Sequence, residues 1–153
     1  MRTALVLSLL TLAASAQAAV DCRFNGSPVV VSDVFSDFHF SSLGKRDVNG
    51  NLSMFRLLTM DESDAGNSVE LKTTDVTKPG VYALSMAPGW HSLVDVQGEK
   101  QRVTGGKFTI TRFEMRGTAG RAAGSVTFTT AKVSGACSFE VDVVGIDNAP
   151  AQR

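Results

Sequence analysis

Residues 107–143 read KFTITRFEMRGTAGRAAGSVTFTTAKVSGACSFEVDV, and this stretch decides the fold class. Phe108 and Ile110 alternate with Lys107, Thr109 and Thr111. Val126 and Phe128 alternate with Ser125, Thr127 and Thr129, and Cys137, Phe139, Val141 and Val143 share one parity. Successive strand residues point to opposite faces, so each run is a strand with one apolar face. Phe113 and Met115 continue the first run one residue out of phase, which predicts a β-bulge near Arg112. The glycines of Gly117 to Gly124 mark a loop and Gly135 marks a break, so three consecutive strands form a C-terminal meander.

The same pattern runs back through the chain. Val20 to Phe24, Val29 to Val31 leading into Val34-Phe35, Phe38 to Phe40, Val69 to Thr73, Val81 to Leu84 and Ser92 to Val96 are short apolar or alternating runs. Asn25-Gly26, Asn49-Gly50, Lys78-Pro79-Gly80 and Pro88-Gly89 punctuate them as turns, Gly105-Gly106-Lys107 reads as the turn before a strand, and 61–67 reads as an acidic loop. Leu52 to Met60 fits a helix through Leu52, Phe55 and Leu58, and a strand through Phe55, Leu57 and Thr59; its neighbours favour the strand. The expectation is all-β, an antiparallel β-sandwich closed by the C-terminal meander, with a closed up-and-down β-barrel as the alternative.

The ends set the compartment. Met1-Arg2-Thr3 carries one positive charge, Ala4 to Ala16 carries none, and Ala16-Gln17-Ala18 is an A-x-A cleavage signal. Residues 1–18 therefore read as a secretory signal peptide, 19–147 as one β domain and 148–153 as a tail. The apolar run of 13 residues is short of the roughly 20 that a spanning helix needs, and no later run is long enough either. Asp21 before Cys22 is not a lipidation context. The protein is expected in the periplasm or the medium, without an integral membrane segment after cleavage.

Cys22 and Cys137 are the only cysteines, and an exported chain with an even number favours a disulfide. Cys22 shares parity with Val20 and Phe24, as Cys137 does with Phe139, so both sulfurs are expected on the apolar face, joining the first strand to the last. Without Arg2, fourteen Lys and Arg stand against fifteen acids, a net charge of −1. That balance gives no reason to expect nucleic acid as a partner.

The order of motifs resembles exported bacterial all-β domains of unknown function, some of them lipoproteins. The resemblance rests on Phe24-Asn25-Gly26, on Gly80-Val81-Tyr82-Ala83-Leu84, on Thr109-Ile110-Thr111 and on Gly124-Ser125-Val126-Thr127-Phe128. It spans roughly residues 22–144 and implies an exported β domain, with no catalytic residues carried over. Cys137 and the lack of a lipidation signal depart from that pattern.

Catalytic and cofactor signatures do not assemble. His39 and His91 are the only histidines, too few for a zinc site once the cysteines are oxidised, and His39 stands opposite the face of Phe38 and Phe40. There is no G-x-S-x-G elbow and no Walker loop, and Asp61 to Gly66 lacks the calcium-loop ligand pattern. No metal or cofactor is expected. The candidate binding residues are Trp90 and His91 after the Pro88-Gly89 turn, and Arg112, Arg116 and Arg121 around the glycine-rich segment, with loops 61–67, 86–91 and 116–124 as contact regions. The leading expectation is a non-enzymatic binding or protein-interaction domain, whose partner is an unidentified protein or small ligand. The alternatives are an apolar-ligand carrier and a His-dependent hydrolase.

Overall fold

The computed structural model describes residues 19–31, 33–40, 53–60, 66–86 and 91–147. The expectations for the leader 1–18, the turn at Asn49-Gly50, most of the loops 61–67 and 86–91, Trp90 and the tail 148–153 lie outside these residues. The strands are β1 (Ala19–Phe24), β2 (Ser27–Val29), β3 (Asp33–Phe40), β4 (Ser53–Met60), β5 (Ser68–Thr74), β6 (Gly80–Ala83), β7 (Leu93–Val96), β8 (Glu99–Arg102), β9 (Gly105–Arg116), β10 (Ala119–Thr129) and β11 (Ser134–Asp147). The fold is all-β, and no helix is present among the described residues.

One curled open sheet holds them, in the order β6-β9-β10-β11-β3-β4-β5-β7-β8, with β1 and β2 branching from β11. The single sheet curls into a half-barrel, compatible with the sandwich-like or barrel-like expectation. Its two limbs meet at an isolated bridge between Thr73 and Leu84. There the Thr73 hydroxyl donates to the Ala83 carbonyl at 2.7 Å, and the Ser85 N–H donates to the Lys72 carbonyl at 2.7 Å. β9, β10 and β11 form the expected meander, but β11 also pairs with β3 in parallel, a departure from the antiparallel expectation.

The interior is aromatic. Phe55 from β4 meets Phe108 and Phe113 of β9 and Phe139 of β11, with ring centroids 5.6, 6.2 and 5.9 Å away. Phe38 of β3 sits 5.0 Å from Phe113. These rings come from facing parts of the curl, so they tie its limbs together; each such pair contributes about 0.5–1.5 kcal/mol beyond simple burial. A second pair, Phe24 and Phe128, stands 5.6 Å apart edge to face. Their strand neighbour between them is Gly135, where a Cβ would lie 2.0 Å from the Phe128 ring.

The bulge lies at Thr111: Arg112 pairs with Ala123 while Ile110 pairs with Gly124. The extra residue shifts the parity, so Phe108 and Ile110 before it and Phe113 and Met115 after it all pack on the core. Asn25 and Gly26 have φ of 49° and 83°, the left-handed pair that a type I′ hairpin requires.

Two turn assignments need correction. The segment Gly117 to Gly124 is not a loop: the turn is Gly117-Thr118 alone, and Ala119 already pairs with Arg116. Gly120 and Gly124 are strand residues, where a Cβ would come within 2.2 Å of the Glu114 carbonyl and 2.1 Å of the Thr109 carbonyl. Gly105 and Gly106 likewise open β9 rather than precede it, and a Cβ on Gly106 would lie 2.1 Å from the Thr127 carbonyl. In all three places glycine serves close backbone approach within the sheet.

Cys22 and Cys137 form the disulfide and face each other directly in the β1–β11 ladder, with Cα atoms 4.1 Å apart. Both are buried, as their parity required. Replacing both by Ala is expected to lower unfolding stability by about 2–5 kcal/mol. Urea unfolding of the oxidised and doubly substituted proteins measures this; coincident curves would contradict the role given to the bond.

Candidate functional site

β11 is 14 residues long, about 45 Å at the usual strand rise. Its edge facing away from β10 is shared. β1 occupies the first part, antiparallel, and its last pair is Ala19 with Glu140. β3 occupies the far part, parallel, from the pair Val144 with Asp37. Val141 to Val143 lie between the two ladders, and there the Ser36 hydroxyl donates to the Asp142 carbonyl.

A groove of about 450 Å³ opens at this fork, where the two ladders end. Val20, Val31, Val34 and Phe139 give it apolar walls, while Ala19, Asp21, Ser138 and Glu140 complete the lining. Asp21 has no ion pair among the described residues. Glu140 is held by Arg112 at 3.0 Å and Arg121 at 3.9 Å, and Arg121 also reaches Asp142 at 3.1 Å.

Those distances relocate the arginines singled out in the sequence. Arg112 and Arg116 lie on β9 and Arg121 on β10, not around a loop spanning Gly117 to Gly124. Arg112 and Arg121 belong to a cross-strand ion-pair ladder with Glu140 and Asp142, and Arg116 is exposed at the hairpin end. His91 is brought to neither the groove nor a serine hydroxyl in a catalytic pairing. Its Nδ1 is buried without a hydrogen bond, while the neighbouring Ser92 Oγ accepts the Lys72 N–H at 3.0 Å. His39 lies on β3, paired with Met54 and Ile146.

A second cluster, missed in the sequence, crosses the outer face. Asp37, Arg56 and Lys72 are successive cross-strand partners on β3, β4 and β5. Arg56 Nε lies 3.2 and 3.0 Å from the two Asp37 oxygens, Arg56 Nη1 reaches Glu70 at 3.4 Å, and Lys72 Nζ is 2.9 Å from Glu70. The Arg56 guanidinium also stands 5.6 Å from the Phe35 ring centroid. Exposed Phe35, Met60, Val144 and Ile146 share this face. Burial draws the Arg56 pKa down, but the bonds and charges of Asp37 and then Glu70 outweigh it and hold the guanidinium above its ordinary value. Burial pushes Glu70 up, but Lys72 and then Arg56 outweigh it and hold the carboxyl below its ordinary value. The signal for this cluster was present: opposite charges sit inside apolar strands, at Asp37 beside Phe38 and at Arg56 between Phe55 and Leu57.

Family models, curated proteins and solved structures compared with this chain gave no match.

Because the folded Glu70 pKa is depressed, the unfolded chain takes up the proton first. The stabilisation is present above the unfolded carboxylate range and is lost as pH falls through the folded value. Glu70→Gln is therefore expected to cost about 1 kcal/mol or less at pH 7, with a smaller cost at pH 3. Urea midpoints at both pH values test this; a cost that is the same at each would contradict it.

Proposed function

We propose that this chain is exported, loses residues 1–18, and acts as a non-enzymatic binding domain whose site is the groove between β1 and β3. The carrying observation is the groove itself: apolar walls and a polar rim, at a point where the topology leaves a gap between two ladders. Its volume falls in the range of small-ligand clefts, about 300–1,000 Å³. The disulfide fits an oxidising compartment. No helix among the described residues is long and apolar enough to cross a membrane.

The interior supports a site at the fork over one inside the curl, since the Phe38, Phe55, Phe108, Phe113 and Phe139 rings pack against one another there. The hydrolase alternative gains no support from His91, whose neighbour Ser92 is committed to the Lys72 backbone.

Two measurements test the proposal. Mass spectrometry of protein secreted or released from the envelope is expected to place Ala19 at the N-terminus; a retained leader would contradict export with cleavage. A neutral apolar dye such as N-phenyl-1-naphthylamine is expected to bind saturably at one site, and Val31→Lys is expected to abolish binding without changing the urea midpoint. Dye binding unaffected by Val31→Lys, or absent altogether, would remove the groove from the proposal.

A further inference from the structure

Resting on that reading of the groove, we propose that its occupant is an extended peptide segment of a partner protein, taken up as an added β-strand. Beside the groove, two strand edges have no partner strand among the described residues. β2 pairs with β1 only at Cys22, Arg23 and Phe24, so Ala19 to Asp21 have a ladder on the β11 side alone. β11 pairs with β3 only from Asp37 onward, so Asp33 to Ser36 have a ladder on the β4 side alone. The groove is lined from both strands, by Val20 and Asp21 and by Val34.

The ladder geometry shows which backbone groups are left open. Cys22 and Cys137 are 4.1 Å apart at Cα, the close spacing of an antiparallel pair that exchanges no hydrogen bonds. The N–H and C=O of Cys22 therefore turn away from β11, and so do those of Val20, two residues earlier. Along Asp33 to Ser36, every second residue turns its N–H and C=O away from β4. An open row of this kind is completed by another backbone.

The lining also sets the side-chain pattern of the guest. Val20 and Phe139 are ladder partners on the face that carries the buried Cys22 and Cys137, and Val34 packs against the same core. Asp21 and Ser138 are partners on the opposite face, as are Ala19 and Glu140. A strand laid along this edge alternates its side chains between the two faces. Apolar residues at every second position meet the valines and the phenylalanine, and polar residues between them meet hydroxyl and carboxylate groups. Leader removal leaves an α-ammonium on Ala19 at the end of this edge, beside Asp21, and keeps the amide of Val20. The open stretch of β1 runs from Ala19 to Asp21, about 10 Å, which matches about three or four guest residues.

The experiment displaces the neutral dye from the processed protein with acetyl-Thr-Val-Thr-Val-Thr-amide and follows amide exchange by NMR. The peptide is expected to displace the dye and to slow exchange of the Val20 N–H. One control is N-methylated at both valines and the central threonine, which keeps the side chains and removes donors from both edges. It is expected to compete about tenfold worse. A second control, acetyl-Val-Val-Thr-Thr-Thr-amide, has the same composition without the alternation and is also expected to compete worse. Equal competition by either control, or dye displacement without slower Val20 exchange, overturns the proposal while the groove reading stands. A peptide that leaves the dye in place does the same. Val20 exchange that slows with protein concentration in the absence of peptide makes a second copy the occupant and overturns the assignment to a partner segment. Failure of the dye to bind at all overturns both readings.

Discussion

On the side away from β10, the backbone of β11 is shared by two strands that run in opposite directions. β1 takes it up to Glu140 and β3 takes it from Val144. A strand edge offers one row of donors and acceptors, so the two strands must occupy different stretches of it. The groove lies where the two ladders end, lined by residues of β1, of β11 and of the segment leading into β3.

What holds the arrangement differs at its two ends. The β1 end is held covalently through Cys22 and Cys137 and by the Phe24–Gly135–Phe128 packing behind them. The β3 end is held by apolar contact of Phe38 with Phe113 and by the buried Asp37 carboxylate on Arg56. Asp37 is fully buried while Arg56 keeps some contact with solvent. Losing the arginine would take a charged partner from a buried carboxylate, which costs more than an exposed pair returns. The charged row therefore acts chiefly to fix β3 against β4, whereas the Arg112–Glu140 pair, about half exposed on both sides, adds little beyond alignment.

Much of the frame was legible in the sequence, for identifiable reasons. β9, β10 and β11 each bury one face, so alternation declared them, and the parity slip between Ile110 and Phe113 declared the bulge. Parity also placed both cysteines inward. Other features had no local signature. β8 reads Glu-Lys-Gln-Arg and is an edge strand defined only by its pairing with β7. Gly120 and Gly124 looked like loop residues because glycine signals a turn and a close backbone approach in the same way. The parallel β11–β3 pairing is a choice of neighbour, which alternation does not encode, and the groove is a consequence of that choice. The residues that line it, Val31, Val34 and Asp21, gave no sign of a shared site, whereas Arg112 and Arg121 stood out and turned out to be engaged with Glu140 and Asp142.

The divided edge of β11 is most directly tested by nuclear Overhauser contacts between backbone protons in the oxidised protein. The account predicts an antiparallel Hα–Hα pattern between β1 and residues 135–140, together with a parallel pattern between β3 and residues 144–147, in one and the same species. An antiparallel pattern that continues from β1 past Val141, or the absence of any contact between Asp37 and Val144, would contradict it.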